Sequence, residues 1–199
     1  TNIYVGDAGV GCSASPWWQA GMQFPISGPL AGDTINLAST TFRSGSYVPT
    51  VSGGEQLLLS FVDTASSTAY SASDSHTLAN HQRPFVGTTS MYTIPSSAGT
   101  CGATASTLCP STGNLAGLIQ RIIDQPRWQS GNFIAMVAST SGAANWAASE
   151  YFAIMDYSSG SSNAASLTVK NTPPTITQNN YRWYDNANAI QHTSALAAE

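Results

Sequence analysis

Two glutamates are the residues of this sequence with the most direct capacity for catalysis. Glycoside hydrolysis uses two carboxyl groups at a defined separation, one as the acid and the other as the base or nucleophile. Glu55 and Glu150 both stand where a strand is predicted to begin, an ordinary place for a solvated polar residue, and no aspartate forms a paired motif. The sequence therefore favours a protein that is not an enzyme over a glycosidase or lyase.

Motifs for other kinds of catalysis and for tight metal binding are missing from the sequence. It contains no Gly-x-Ser-x-Gly elbow, no phosphate-binding loop and no dinucleotide fingerprint. Asp74, His76 and His81 lie at spacings that differ from those of tight metal sites, whose ligands share one face of a strand or helix. We interpret these three residues as part of a polar surface loop.

One structural calcium ion is the only cofactor for which the sequence offers ligands. Calcium prefers the oxygen atoms of carboxylates, amides and backbone carbonyls. Asp7, Asp33 and Asp63 are the candidate carboxylates, and they do not form a dense acidic cluster.

The three cysteines indicate an oxidising environment. Cys101 and Cys109 bracket the short polar loop Gly-Ala-Thr-Ala-Ser-Thr-Leu, and a disulfide closing such a loop would stabilise the fold by about 2.5 kcal/mol in the chain-entropy model. Metal ligation by this pair lacks a second Cys or His pair at finger spacing. Because disulfides persist outside the cytosol, we expect an extracellular or cell-surface protein. Cys12 is either a buried thiol or the partner of a cysteine in another chain.

Tryptophans in loop-like contexts suggest that the protein binds sugars. Flat aromatic faces and neutral hydrogen-bonding groups hold uncharged sugars, and Trp17, Trp18 and Trp146 stand among Ser, Pro, Gly and Asn residues. The alternative is that these tryptophans pack in the core or at its rim. Trp128 follows a predicted helix, where we expect it to seal the contact between the helix and the rest of the domain.

Composition bounds the fold class and the partners of this chain. Its 199 residues suit one domain, and only 8% are charged, against about 25% in ordinary soluble proteins. A polar surface made of Ser, Thr, Asn and Gly favours strands and turns over helices. The net charge of −4 and the single lysine, Lys170, argue against nucleic acid as a partner. No apolar run approaches the roughly 20 residues of a transmembrane helix.

Hydrophobic patterning predicts short strands and one helix. Strand-like segments lie at 34–42, 55–62, 133–138, 151–157 and 166–170. Residues 114–125 instead carry an aliphatic stripe at helical spacing, which predicts an amphipathic helix that Pro126 ends. The stripe consists of Leu115, Leu118, Ile119, Ile122 and Ile123. Ser111, Thr112 or Asn114 is expected to cap the start of this helix.

The order of these motifs resembles the DNRLRE-type (disaggregatase-related) modules. The resemblance spans about residues 3–170 and is strongest over GLIQRIIDQPRWQSGN at 117–132, followed by FIAMVAS, an aromatic strand ending in Asp156-Tyr157, and a terminal SLTV strand. The segments 22–26 and 32–35 resemble its first half, and the segments 57–63, 82–85 and 91–95 resemble its middle section. The resemblance implies a jelly-roll-like antiparallel β-sandwich of the kind found in large secreted or surface-displayed proteins of bacteria and archaea. It does not imply catalysis.

The chain continues beyond the predicted sandwich, which we place at residues 1–170. Residues 171–199 contain the Pro173-Pro174 hinge, the strand-like run TITQNNYRWY at 175–184, and a polar tail. This run is predicted to be a strand donated to a neighbouring copy or the first strand of a following module, and docking on its own sandwich is the alternative. The expected intersubunit residues are Thr175, Ile176, Tyr181, Trp183 and Tyr184.

These observations predict a non-catalytic, extracellular structural module of a surface protein or fibre. Its expected partners are copies of itself or neighbouring modules, joined head to tail by the extended segment at 175–184. A carbohydrate-binding module that uses Trp17, Trp18 and Trp146 is the alternative function, with glycans as its partners.

Overall fold

The described part of the chain is an all-β sandwich of antiparallel strands with one short helix. The structure is a computed structural model and describes residues 2–6, 19–45, 54–68, 84–87, 90–97, 99–140, 150–156, 158 and 160–174. The strands are β1 (Asn2–Gly6), β2 (Ala20–Pro25), β3 (Thr34–Thr41), β4 (Gln56–Phe61), β5 (Ser90–Thr93), β6 (Phe133–Ser139), β7 (Tyr151–Met155) and β8 (Ser166–Thr172), and the helix is α1 (Ala116–Ile123). All five strands and the helix that the patterning predicts are confirmed, with shifts of at most two residues at their ends.

One layer of the sandwich is a four-stranded sheet in the order β2-β6-β4-β5. The central strand β6 is buried over all but its first residue, which explains its nearly continuous apolar sequence. The outer strand β2 alternates instead, with Met22 and Phe24 turned into the core. Period-two alternation of this kind is typical of a strand with only one buried face.

The second layer is built around β3. Strand β8 pairs with β3 from Thr34↔Thr172 to Thr41↔Ser166. Past the end of β3, the backbone N–H of Met155 donates to Arg43 at 2.9 Å and that of Gly45 donates to Ala153 at 2.7 Å. Strands β7 and β8 therefore lie one after the other along the same edge of this long extended segment, and β1 pairs with the outer edge of β7.

Aromatic side chains join the two layers. The ring of Phe42 meets the rings of Tyr92 and Phe152 edge to face, at centroid distances of 5.1 and 6.0 Å. Tyr92 belongs to the first layer, whereas Phe152 belongs to the second. The Tyr92 hydroxyl donates to the carbonyl of Pro110 at 3.2 Å, and burial raises the pKa of Tyr92 to about 12. The phenol is therefore held in its neutral form.

Helix α1 lies against β3 with its aliphatic stripe buried. The predicted stripe is confirmed, because Leu118, Ile119, Ile122 and Ile123 are all buried. The N-cap residue Leu115 has no polar side chain, and Asn114 before it accepts from the backbone N–H of Ala116 at 3.0 Å. The N-cap is therefore none of the three predicted candidates, although Asn114 still satisfies one of the free N–H groups of the first turn.

The edge of β3 opposite β8 is covered by the segment 106–115. The backbone N–H groups of Cys109 and Thr112 donate to Phe42 and Thr40 at 2.8 and 2.9 Å. Cys101 and Cys109 form the predicted disulfide, with a Cα–Cα distance of 5.1 Å. The disulfide therefore anchors the segment that closes this edge of β3.

Candidate functional site

The outer edge of β8 has no strand partner among the described residues. Ala38 and Thr40 direct their peptide groups to the 112–115 segment, so the alternate residues of β3 face β8. By the same alternation, the N–H and C=O groups of Leu167, Val169 and Asn171 point away from β3. An unpaired row of this kind is a template for a further strand.

The core-facing side chains of β8 are also incompletely covered. Leu167 and Val169 pack against the hydrophobic core but are only half-buried. By contrast, Phe152 and Ile154 on β7, whose outer edge pairs with β1, are fully buried. The apolar face of β8 is thus only half-covered, because the described residues of the second layer include no strand that pairs with β8 as β1 pairs with β7.

A groove of about 310 Å³ opens beside the start of β8. One wall is β2, whose outer edge also lacks a partner in the described part of the chain. The opposite wall is the end of β7 and the turn that leads into β8. The lining residues are Gly21, Met22, Gln23, Phe24, Met155, Asp156, Ser158, Ala164 and Ala165. Asp156 is the only charged residue in this lining, so the groove suits an apolar or aromatic side chain.

Strand β8 continues two residues beyond the predicted end of the sandwich at Lys170. These residues are Asn171 and Thr172, which pair with Ile35 and Thr34 of β3. The side chain of Asn171 also donates to the carboxylate of Asp33 at 2.6 Å. Pro173 and Pro174 follow directly and are exposed. The predicted intersubunit residues Thr175, Ile176, Tyr181, Trp183 and Tyr184 lie outside the described residues.

The aspartates considered for calcium take part in contacts with other side chains. Asp63 accepts from Arg121 at 3.0 Å and from Gln125 at 2.7 Å, and these contacts fix the end of α1 to the loop after β4. The carboxylate of Asp33 accepts from the backbone N–H of Leu30 at 3.0 Å. In the described ranges, no three His, Cys, Asp or Glu residues form a metal-binding group. Asp7 lies outside these ranges.

Both glutamates considered for catalysis are buried, contrary to the expectation of solvated positions. Glu55 is fully buried and Glu150 is nearly so. Glu55 stands beside the β4–β5 pairing, where its backbone carbonyl accepts from the N–H of Ile94 at 2.9 Å. A residue at the start of a strand can lie on either of its faces, one buried and one solvated. The polar type of Glu55 and Glu150 therefore did not reveal that these residues are buried.

The two glutamates belong to what we call the polar end of the sandwich, formed by the starts of β2, β4 and β7 and the end of β6. Two further polar atoms are buried there without a hydrogen-bond partner, Gln19 Oε1 and Thr140 Oγ1. The segments 7–18 and 141–149, which carry Trp17, Trp18 and Trp146, adjoin these strand ends. Those tryptophans and Cys12 lie outside the described residues.

Trp128 seals the contact of α1 with the sandwich, as predicted. Its ring is almost completely buried, and its indole N–H donates to the carbonyl of Pro29 at 3.0 Å. The residue thus joins the turn after the helix to the loop between β2 and β3, which excludes it from ligand binding at the surface.

Comparisons with known proteins were made for the whole chain. It matches no known family model, no curated protein and no solved structure. Within the described ranges, no helix is long and apolar enough to span a membrane.

Sequence reasoning did not identify the open edge of β8 or the groove beside β2. The only local signal was the alternation of Leu167 and Val169 with polar residues in β8. In the structure this strand has one exposed face and one half-buried face. Which strand pairs with its outer edge depends on contacts distant in sequence, and no motif records them.

Proposed function

We propose that this chain is a non-catalytic, extracellular structural module of a cell-surface fibre that assembles head to tail. In this proposal the segment 175–184 of one copy adds to the outer edge of β8 in the next copy. The observation that carries the proposal is the unpaired edge at Leu167, Val169 and Asn171, together with the half-exposed apolar face of β8. Strand addition would pair the free backbone groups and cover the apolar face in one step.

The proline pair favours a neighbouring copy over the same chain as the acceptor. A tight two-residue hairpin requires positive φ at one or both turn residues, whereas proline fixes φ near −65°. Pro173 and Pro174 stand directly after β8, so the chain cannot reverse through them in a tight hairpin. Proline also keeps the preceding residue extended, which disfavours an immediate reversal of the chain at Thr172.

A contact between the tail of one copy and the sheet of the next does not close on itself. Such heterologous contacts propagate as filaments unless the rotation between copies closes a ring. An extracellular setting is supported by the Cys101–Cys109 disulfide and by the resemblance to DNRLRE-type modules. The low proportion of charged residues, at 8%, suits association with little electrostatic repulsion between copies.

The first test is the assembly state of two truncated chains beside the intact one. A chain ending at Pro174 keeps all of β8 but loses the donor segment, and we expect it to be monomeric. A chain ending at Tyr184 keeps the donor segment and serves as the matched control, so it should assemble like the intact chain. Light scattering and negative-stain imaging give the readout. Assembly of the chain ending at Pro174, or an intact chain that stays monomeric, would refute the proposal.

Carbohydrate binding is the second candidate function, and the polar end favours it. Buried polar groups without partners, Gln19 Oε1 and Thr140 Oγ1, lie beside the segments that carry Trp17, Trp18 and Trp146. A glycan array should then show binding by the chain ending at Pro174 and lose it when the three tryptophans are replaced by alanine. Equal binding before and after the replacement would exclude this site.

A further inference from the structure

We infer that the groove between β2 and the start of β8 is the socket for Tyr181 and Trp183 of the donated segment, which runs antiparallel to β8. This inference rests on the proposed function and deepens it. It specifies the direction and register of the donated segment and the side chains that determine recognition. The occupant is a second copy of this chain.

The composition of the groove matches aromatic side chains. Met22 and Phe24 of β2 and Met155 of β7 supply apolar and polarisable surface, and methionine sulfur makes favourable contacts with aromatic rings. Ala164 and Ala165 on the opposite wall are small and leave the volume of about 310 Å³ open. Each buried Tyr or Trp removes roughly 150–250 Å² from water. Side chains of this size are therefore the strongest anchors that the segment 175–184 offers.

The groove lies at one end of β8, and this position determines the direction of the donor. Ala164 and Ala165 come immediately before Ser166, where β8 begins. A donor antiparallel to β8 places its later residues beside this start and its first residues beside Thr172. Tyr181 and Trp183 stand late in the segment, so only the antiparallel direction brings them to the groove. This direction also continues the line of β1, which is antiparallel to β7.

Alternation along the strand determines which face of the donor turns inward, and the position of the groove beside Ala165 then selects the register. Side chains that face the core occupy odd positions in β8, at Leu167, Val169 and Asn171. Tyr181 and Trp183 share one face of an extended segment because they are two residues apart. Pairing Thr177 with Asn171 turns this face inward, with Tyr181 opposite Leu167 and Trp183 opposite Ala165. A shift by one residue would turn both rings to solvent, and Tyr184 faces solvent in the chosen register.

Two pairs of full-length variants test the socket. On the donor side, Trp183→Ala should raise the concentration needed for assembly about 30-fold or more, as expected for a central interface anchor, whereas Tyr184→Ala should leave it within about threefold. On the acceptor side, Ala165→Trp fills the groove and should have an effect as large as that of Trp183→Ala. Thr168→Trp adds the same ring to the exposed face of β8 and should assemble like the native chain.

Mixing the two defective variants gives a result that misfolding cannot imitate. The Trp183→Ala chain keeps an open groove, and the Ala165→Trp chain keeps an intact donor segment. An equimolar mixture should therefore form a complex of two copies, one of each variant, and stop there. Analytical ultracentrifugation with one variant fluorescently labelled measures this.

The outcomes separate this inference from the proposed function. A native chain that does not assemble overturns both. If the native chain assembles and either Trp183→Ala or Ala165→Trp also forms filaments, the socket is overturned but strand donation is not. A mixture that stays monomeric also overturns the socket, because one open groove and one intact donor segment are then present without docking.

Discussion

Replacing Trp128 by alanine is expected to lower the free energy of unfolding by about 3–5 kcal/mol, the usual range for truncating a buried tryptophan. The ring is almost completely buried and stands between the end of α1 and the loop before β3. Its removal leaves a cavity and deprives the Pro29 carbonyl of its indole donor. Denaturant unfolding followed by circular dichroism measures the loss.

The variant Trp128→Phe separates packing from hydrogen bonding at this position. It keeps most of the buried apolar area but removes the N–H group, so we expect a loss of about 1–2 kcal/mol, the range for leaving a buried acceptor unpaired. Equal losses for the alanine and phenylalanine variants would mean that the hydrogen bond, not the packing of the helix end, is decisive.

Replacing both Cys101 and Cys109 by alanine is expected to lower the free energy of unfolding by about 2.5 kcal/mol, because the unfolded chain regains the freedom of the open loop. Both cysteines are buried. The segment they anchor covers one edge of β3 through backbone hydrogen bonds, from the N–H of Cys109 to Phe42 and from the N–H of Ser44 to Thr107. Loosening this segment should expose a second open edge and increase irregular aggregation.

A Cys12→Ala variant is the matched control for the double replacement. It leaves the disulfide in place, so its unfolding should show the stability and the reductant sensitivity of the native chain. Loss of less than about 0.5 kcal/mol in the double variant would contradict a stabilising role, since surface substitutions without structural effect fall in that range.

The edges of the sandwich show how the proposed role follows from the fold. One edge of β3 is covered by the 106–115 segment, and the outer edge of β7 is covered by β1. Strand β8 has no such cover among the described residues, although its face carries Leu167 and Val169. Natural sheets usually protect their edges. An unprotected edge beside a groove is therefore consistent with a site to which another strand adds.

Local patterns predicted the elements well because each pattern depends on which faces of the element are buried. The aliphatic stripe from Leu115 to Ile123 indicated a helix with one buried face, and the nearly continuous apolar run of β6 fits a strand buried on both faces. The spacing of Cys101 and Cys109 also predicted the disulfide, since a loop this short brings the two residues together.

Contacts between distant residues could not be predicted in the same way. Gln120 of α1 donates to the backbone carbonyl of Asp33, and Gln125, just after the helix, donates to the carboxylate of Asp63. Glutamine occurs widely on solvated surfaces, so neither residue signals its contact in the sequence. The burial of Glu55, just before β4, likewise follows from the tertiary fold and has no local signal. The groove beside β2 combines three separate parts of the chain, so no single segment could indicate it.

Assembly of a Val169→Pro variant, compared with Val169→Ala, tests the central claim most directly. The N–H of Val169 points away from β3, so proline there leaves the β3–β8 pairing intact and removes only a donor that an added strand needs. The alanine variant removes the same side chain and keeps the N–H. We predict filaments from Val169→Ala and folded monomers from Val169→Pro, by light scattering and negative-stain imaging. Equal filament formation by both variants would contradict assembly through the edge of β8.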